Sequence, residues 1–283
     1  MERAVQSKDR YFKESQPNKV HITFLMDLNL KGKVAIITGA SRGIGNAIAH
    51  SLAGEGCRLV LCSRGKDELE TACASLRKLG ADVVSVALDI TDKGAGERLA
   101  QLAIDSYGQI DVFVGNAGGN RRGMFADTTD QDWQDIIELN LKSHLNTSRA
   151  VLSTMKNQGS GSIIFISSIF GREAGGKGLS IYNTTKSALI SAAKIMAIEL
   201  AENGIRVNTV APGSIRFKGG SWDKRCISDP EGMKQFIADN IPLGRFGKAE
   251  EVADVVTFLA SERASWVSGT CLPIDGVQSK SLI

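Results

Sequence analysis

The residues with the clearest chemical potential in this sequence are Tyr182 and Lys186, in the segment Ser-Ile-Tyr-Asn-Thr-Thr-Lys over 180–186. Residues four apart lie on the same face of a helix, so the Lys186 ammonium can lie beside the Tyr182 phenol. A free tyrosine has a pKa of about 10, and an adjacent cation lowers that pKa by favouring the phenolate. With Ser168 upstream, the pair predicts a proton donor and acceptor for a carbonyl–alcohol couple.

The elements that must position these residues follow a regular alternation from Lys33 onward. The predicted strands are 34–38, 58–62, 83–88, 112–114, 162–166, 206–210 and 270–274. The predicted helices are 44–55, 66–79, 96–107, 131–155, 182–203 and 249–260. Continuous apolar strands separated by helices are typical of a parallel sheet covered on both faces. The sequence therefore predicts an α/β fold with a doubly wound parallel sheet, in a single domain over 27–283 after an N-terminal extension over 1–26.

Composition and charge exclude several classes of function. The net charge is +3, from 34 basic and 31 acidic residues, and no basic stripe of the kind that binds nucleic acid is visible. The five cysteines form no metal-binding spacing, so we predict no metal site, and their odd number favours a reducing compartment. No apolar segment is long enough to span a membrane. We therefore predict a cytoplasmic protein that binds neither membrane nor nucleic acid.

A glycine-rich turn, Thr-Gly-Ala-Ser-Arg-Gly-Ile-Gly over 38–45, directly follows the first predicted strand. It departs from the usual GxGxxG pattern because position 48 is Ile. Glycines still permit close backbone approach, and the N-terminus of the next helix offers unpaired N–H groups to a pyrophosphate. The turn therefore predicts a dinucleotide site.

The end of the second strand indicates which dinucleotide. Enzymes that bind NAD place an acidic residue there to hold the ribose hydroxyls. This chain instead has Ser63 and Arg64, and Arg42 projects from the turn. Because guanidinium groups bind phosphate in a fork, the sequence favours NADP(H) over NAD(H). The segment 213–229 is predicted to be an irregular loop at the ligand crevice and a candidate lid.

Six motifs occur here in the order typical of the short-chain dehydrogenase/reductase family, over roughly 30–276. They are the turn over 38–45, Asn116-Ala-Gly118, Asn140, Ser168, Tyr182 with Lys186, and Pro212-Gly213. The chain resembles most the branch of 3-oxoacyl-(acyl-carrier-protein) reductases. The resemblance implies a Rossmann fold, a small-molecule carbonyl or alcohol substrate, and a homotetramer joined through the helices over 131–155 and 182–203.

The resemblance also implies a role for each catalytic residue. Tyr182 would exchange a proton with the substrate oxygen, and Ser168 would orient and polarise the carbonyl. Lys186 would lower the pKa of Tyr182 and bind the nicotinamide ribose. Asn140 would anchor a water molecule that links Lys186 to solvent.

The resemblance also implies contacts with the cofactor. Asp89 would contact its adenine, Asn116 would support its adenosine side, and Ile215 would present backbone groups to its carboxamide. The complete predicted cofactor site comprises Gly39, Ser41, Arg42, Gly43, Ile44, Gly45, Ser63, Arg64, Asp89, Ile90, Asn116, Ala117, Gly118, Tyr182, Lys186, Pro212, Gly213 and Ile215.

The chain departs from the family pattern at several positions. Gly115 replaces the first Asn of the usual Asn-Asn-Ala-Gly, Phe217 replaces a Thr near the cofactor, and Val277 replaces the second Gly of Asp-Gly-Gly. Gly159 and Asn203 align with positions where carrier-protein reductases often have a docking Arg, which weakens that assignment.

Three functions remain open at the level of the sequence. The first is an NADP(H)-dependent 3-oxoacyl thioester reductase. The second is a dehydrogenase of sugars, polyols or other small secondary alcohols. Arg172 and Lys177, near the predicted site, could meet an anionic substrate such as a CoA ester or a sugar acid, or could be solvated loop charges. The third is a non-catalytic NADP-binding protein.

Overall fold

A computed structural model describes residues 26–282, so the extension predicted over 1–26 lies outside the described residues except for Met26. The strands are β1 (Val34–Thr38), β2 (Arg58–Ser63), β3 (Val83–Ala87), β4 (Val112–Gly115), β5 (Gly161–Ile166), β6 (Ile205–Pro212), β7 (Ile215–Arg216), β8 (Gly247–Lys248) and β9 (Cys271–Ile274). The helices are α1 (Gly43–Gly54), α2 (Lys66–Lys78), α3 (Ala95–Tyr107), α4 (Asp130–Ile137), α5 (Ser143–Gln158), α6 (Ser180–Leu200), α7 (Ser221–Ser228), α8 (Pro230–Asn240) and α9 (Ala249–Ala260).

Within residues 26–282, seven strands form one parallel sheet in the order β3-β2-β1-β4-β5-β6-β9. The strand order reverses between β1 and β4, which are neighbours although β2 and β3 lie between them in the chain. The short strands β7 and β8 form a separate parallel pair. The predicted α/β class and doubly wound sheet are confirmed, and the predicted strand ends differ from the observed ones by at most two residues.

Two core layers explain why the strands are continuously apolar. Every residue of β1 is buried, and successive side chains point to opposite faces of the sheet. Ala35 and Ile37 pack on the face covered by α1, α2 and α9. Val34 and Ile36 pack on the other face, with α3, α5 and α6. Helices therefore cover both faces of the sheet, and the carboxyl ends of its strands remain available to form a site.

The predicted helix over 131–155 is interrupted. It consists of α4 and α5 joined by one π-helical turn over Glu138–Lys142, with the fully buried Asn140 at its centre. The prediction of one regular helix is wrong here, because apolar periodicity does not reveal an extra residue inserted into a turn. Such π turns are frequent at functional sites.

The segment 213–229 is not irregular as predicted. It contains β7 and α7, and α8 follows with Asp229 accepting a hydrogen bond from the Gly232 N–H at 2.9 Å. The Trp222 ring lies 4.8 Å from the ring of Phe236 and 5.2 Å from that of Phe246. This aromatic cluster holds α7 and α8 together, although neither helix is long enough to show a clear apolar stripe in the sequence.

Val277 lies in the left-handed backbone region with φ 67°, although its side chain is β-branched. The Asp275 carboxylate imposes this conformation by accepting hydrogen bonds from the N–H groups of Val277 (3.0 Å) and Ser279 (2.7 Å). The left-handed conformation costs a residue with a Cβ about 1–2 kcal/mol.

We therefore expect Val277→Gly to stabilise the protein by about 1 kcal/mol, because glycine adopts this conformation without the steric penalty but loses more entropy on folding. Chemical denaturation of the purified variant measures the change. Val277→Ala, which keeps a Cβ, is the matched control and should gain less. A glycine variant that is less stable than the wild type would contradict the argument.

Candidate active site

The predicted site residues converge at the carboxyl edge of the sheet, around the reversal between β1 and β4. In an open α/β sheet, this reversal is where ligands bind. β1 ends at Thr38 and leads into the glycine-rich turn, and β4 ends at Gly115 and leads into Asn116–Gly118. β5 ends just before Ser168, and α6 brings Tyr182 and Lys186 to the same edge.

The Ser168 hydroxyl lies close enough to the Tyr182 phenol to favour its phenolate form. Ser168 also accepts a hydrogen bond from the Phe170 N–H at 3.2 Å, which fixes the hydroxyl at the end of β5. The neighbouring Ser167 instead donates to the Lys186 carbonyl oxygen at 3.0 Å and so braces α6. The second serine of the pair is thus the one that meets the phenol.

The Lys186 side chain is buried, and its ammonium donates a hydrogen bond to the Ile166 carbonyl oxygen at 2.7 Å. The Nζ atom lies 5.8 Å from the centroid of the Tyr182 ring. Burial disfavours the charged form and lowers the pKa of Lys186 to about 8. The expected i, i+4 neighbourhood of the two side chains is confirmed.

The expected effect of Lys186 on Tyr182 does not hold in this structure. Burial raises the pKa of Tyr182 above its ordinary value of 10.0, and the hydrogen bond from Ser168 acts in the opposite direction. Burial of the phenolate therefore acts against the predicted lowering, which counted on a partly desolvated charge pair and a second cation nearby. At neutral pH, Tyr182 is a phenol that carries its proton.

Asn140 is held by the backbone that follows β4. Its Oδ1 accepts a hydrogen bond from the Gly119 N–H at 2.8 Å, and its Nδ2 donates to the Gly119 carbonyl at 2.9 Å and to Thr185 Oγ1 at 3.2 Å. A Cβ built on Gly118 would lie 3.3 Å from Asn140 Oδ1 and 3.5 Å from Lys186 Nζ. Asn140, Gly118 and Lys186 therefore surround one small space.

The glycine-rich turn is packed against the segment after β4. A Cβ on Gly45 would lie 2.4 Å from Asn116 Nδ2, and one on Gly39 would lie 3.0 Å from the same atom, so side chains cannot be accommodated at either position. Asn116 Nδ2 donates to the carbonyl oxygens of Thr38 and Gly39 at 2.9 and 3.1 Å. The Asn116 side chain thus braces the turn itself.

Thr38 is a site residue that the sequence analysis did not single out. Its hydroxyl accepts hydrogen bonds from the N–H groups of Asn116 and Ala117, both at 3.0 Å, and donates to the Val114 carbonyl at 3.4 Å. Thr38 therefore joins the ends of the two strands that flank the crevice. The sequence does carry a signal for Thr38, since it is a polar residue at the end of an otherwise apolar strand.

The turn fits a dinucleotide phosphate on the geometry of its own residues. α1 begins at Gly43 with no side-chain cap, so the first N–H groups of α1 lack partners within the helix and are available to a phosphate. A cavity of about 560 Å³ touches the turn at Ser41 and Arg42, but most of its lining belongs to the groove between α1 and α9, so it is not the cofactor crevice. The Phe217 ring lies against Gly43, where a Cβ would be 2.7 Å from two ring carbons. Phe217 thus packs on the turn, where it offers no polar contact.

The predicted adenosine side is formed by the ends of β2 and β3. Arg64 lies with Nη1 3.8 Å from Asp89 Oδ2 and has a side chain that is 75% exposed. The Asp89 Oδ1 atom accepts hydrogen bonds from the N–H and hydroxyl groups of Thr91. Ser63 is nearly buried and donates to the Gly65 carbonyl, and the Ile90 side chain belongs to the core. Ile90 can therefore offer a ligand its backbone and not its side chain.

The predicted carboxamide side lies after β6. Gly213 donates to the Ile274 carbonyl at 3.0 Å, and the Ser214 N–H donates to Gln278 Oε1 at 2.8 Å. The Ile215 side chain is buried, and its Cδ1 would lie 2.6 Å from a Cβ on Gly247. The C-terminal residues thus help to hold the segment that begins at Pro212.

Other kinds of site were sought in the part of the chain that the structure describes. Among residues 26–282, no three His, Cys, Asp or Glu side chains are grouped so that they could hold a metal ion. Over the same residues, no helix combines the length and apolarity needed to cross a membrane. Cys57, Cys62 and Cys73 are buried free thiols.

Comparison with known proteins agrees with this geometry. The profile of the family described as Enoyl-(Acyl carrier protein) reductase matches residues 39–276. The 3-oxoacyl-(acyl-carrier-protein) reductase FabG of Thermotoga maritima is 37% identical over 249 residues, which cover 88% of this chain and 98% of the relative.

Two solved structures are similar over most of their length. L-sorbose reductase from Gluconobacter frateurii, complexed with NADPH and L-sorbose, has a TM-score of 0.86 and 34% identity, over 91% of this chain and 100% of that one. A 7α-hydroxysteroid dehydrogenase complexed with NADH and 7-oxo glycochenodeoxycholic acid has a TM-score of 0.83 and 32% identity, over 91% and 98%. The chain therefore has an NAD(P)-binding Rossmann fold and the reaction class of a carbonyl–alcohol oxidoreductase. It belongs to the short-chain dehydrogenase/reductase family.

Proposed function

We propose that this protein is an NADP(H)-dependent reductase of 3-oxoacyl thioesters. The observation that carries the reaction class is the convergence of Ser168, Tyr182 and the buried Lys186 at the carboxyl edge of a dinucleotide fold, with Lys186 Nζ 5.8 Å from the centroid of the Tyr182 ring. The substrate class is supported by 37% identity to a 3-oxoacyl-(acyl-carrier-protein) reductase.

In the proposed reduction, the Ser168 hydroxyl donates a hydrogen bond that orients the substrate carbonyl, and Tyr182 transfers its proton to the carbonyl oxygen. The raised pKa of Tyr182 keeps that proton available at neutral pH. Lys186 binds the ribose next to the reacting centre, and Asn140 anchors the water that returns a proton. The cofactor, when bound by the turn over 39–45 and by the segments after β4 and β6, supplies the hydride.

The preference for NADP(H) is supported by two guanidinium groups near the adenosine side. Arg42 is exposed at the turn, where Nη1 donates to the Gly219 carbonyl at 3.4 Å. Arg64 is exposed at the end of β2, where Nη1 lies 3.8 Å from Asp89 Oδ2. Both can reorient toward a 2′-phosphate. A charge-assisted hydrogen bond contributes about 1.5–3 kcal/mol.

We therefore expect Arg42→Ala and Arg64→Ala each to weaken NADPH binding by about tenfold or more, with NADH binding changed less than about twofold. Fluorescence titration of the reduced cofactors measures both affinities. Arg77→Ala, which removes an exposed guanidinium paired with Glu70 at the far end of α2, is the matched control. Equal losses for NADPH and NADH would contradict the assignment.

The substrate proposal is tested by following NADPH oxidation with 3-oxoacyl thioesters of CoA and of acyl carrier protein, and with a panel of sugars and other small ketones. Rapid thioester turnover is the expected result. Turnover of sugars instead would favour the second candidate, which rests on the similarity to L-sorbose reductase. Cofactor binding without turnover of any carbonyl would favour a non-catalytic NADP-binding protein.

The proposal extends to assembly, organisation and location. We propose a homotetramer joined through α5 and α6; the support is that α6 exposes Ile195 and Ile198, which are 52% and 64% accessible, to solvent. We also propose a domain over 27–283 behind an extension over 1–26, and a cytoplasmic location. Light scattering and ultracentrifugation test the tetramer.

A further inference from the structure

His144 is a buried titratable residue that the proposed reaction does not use. It lies near the start of α5, four residues after Asn140, and its side chain is fully buried. Among the described residues, neither Nδ1 nor Nε2 has a well-formed hydrogen bond. An apolar residue would avoid the cost of two unsatisfied nitrogens, so the imidazole calls for an explanation.

The space that the ring occupies exists because residue 115 is glycine. A Cβ on Gly115 would lie 2.7 Å from His144 Nδ1 and 2.8 Å from Phe165 Cδ1. The rings of His144 and Phe165 are in contact, with centroids 5.8 Å apart. Gly115 and His144 are therefore sterically matched: a side chain at one position excludes the ring from the other.

The surroundings of the ring connect it to the candidate active site. Burial and the positive charge of Lys186 lower the pKa of His144 to about 3, so the imidazole is neutral at ordinary pH. The ring packs on Gly115, the residue that precedes the segment 116–119. Within that segment, the Asn140 side chain accepts a hydrogen bond from the Gly119 N–H and donates one to the Gly119 carbonyl.

We infer that His144 is a positioning residue: together with Asn140 it holds the backbone of residues 116–119 against Lys186, in a space that Gly115 leaves open. The inference rests on the proposed function, since this segment is part of the proposed cofactor site. A neutral ring suits the position because it packs against Gly115 and Phe165 like an apolar side chain.

The test compares the wild type with His144→Leu, which keeps most of the volume and removes both ring nitrogens. Amide hydrogen exchange over residues 116–119 is expected to become at least tenfold faster, and the affinity for NADPH at least fivefold weaker. Met155→Leu changes another fully buried side chain of α5 and should change neither. Unchanged exchange and unchanged affinity in a folded His144→Leu protein would overturn the inference.

A second variant set covers the case in which His144→Leu does not fold. Gly115→Ala is expected to weaken NADPH binding at least tenfold, because its methyl group collides with the rings of His144 and Phe165. Adding His144→Ala to this variant should strengthen NADPH binding at least threefold. An unchanged affinity would contradict the steric match between Gly115 and His144. Hydrogen exchange needs no substrate, so an enzyme that fails to reduce thioesters refutes the proposed function and still tests His144.

Discussion

Replacing Tyr182 with Phe is expected to lower kcat for carbonyl reduction by about 10³-fold while the protein folds and binds NADPH normally. General acid catalysis by a positioned side chain contributes about 10²–10⁴ in rate. The phenol is the group that carries the proton, since burial raises the pKa of Tyr182, and it lies at the carboxyl edge of the sheet beside Ser168. Phenylalanine preserves the ring and removes the proton, so the loss should appear in kcat and not in cofactor affinity.

Tyr107→Phe is the matched control for this substitution. Its hydroxyl donates to Asp82 Oδ1 at 2.9 Å, at the other end of the sheet, and its removal should leave kcat unchanged. Steady-state rates, NADPH titration and circular dichroism of the three proteins decide the matter. A Tyr182→Phe enzyme that is folded, binds NADPH and keeps more than about a tenth of wild-type kcat would show that another group delivers the proton.

The direction of the Tyr182 pKa shift also sets the pH dependence of the reverse reaction. Alcohol oxidation requires the phenolate, and the pKa of Tyr182 is raised, so the fraction of phenolate at neutral pH is small. Oxidation should therefore accelerate as pH rises, whereas reduction uses the protonated form that already predominates. Pre-steady-state rates in both directions measure the two profiles.

The sequence predicts the sheet and the crevice well, because both depend on local and strongly patterned signals. A strand buried on two faces must be apolar throughout, as β1 is, and glycines at 39 and 45 are needed where the turn meets Asn116. Since the carboxyl ends of parallel strands share one edge, the order of the motifs then places the candidate residues together.

The remaining features depend on contacts between distant residues. The π turn around Asn140 and the fit of His144 over Gly115 each require knowing what lies across the crevice. The sign of the Tyr182 pKa shift required knowing how deeply the phenol is buried, because desolvation and a neighbouring cation act in opposite directions. The helices α7 and α8 are held by an aromatic cluster whose three members lie in separate segments.

Replacing Lys186 with Met is expected to lower kcat by at least about 10²-fold and, at pH 7, to make the protein more stable. The pKa of Lys186 falls from 10.5 to about 8 because burial penalises the ammonium. That difference corresponds to about 3 kcal/mol of unfavourable interaction in the charged folded state. Loss of the hydrogen bond to the Ile166 carbonyl costs about 1 kcal/mol, so a net gain of about 1–2 kcal/mol remains.

The pH dependence of this gain distinguishes burial of a charge from ordinary repacking. Below a pH of about 8, both the folded and the unfolded wild type carry the proton on Lys186, and the penalty is complete. Between about 8 and 10.5, the unfolded state binds more protons, so the stability of the wild type rises with pH. The advantage of Lys186→Met should therefore shrink across that range.

Urea denaturation of both proteins at pH 7, 8 and 9 measures the difference, with Lys194→Met as the control, because Lys194 is an exposed lysine of the same helix. A constant advantage at all three pH values would indicate repacking, and a loss of stability at pH 7 would refute the burial penalty. A Lys186→Met enzyme with the kcat of the wild type would show that Lys186 takes no part in the reaction. The expected combination, a more stable and less active protein, follows from keeping a charge in the interior where catalysis uses it.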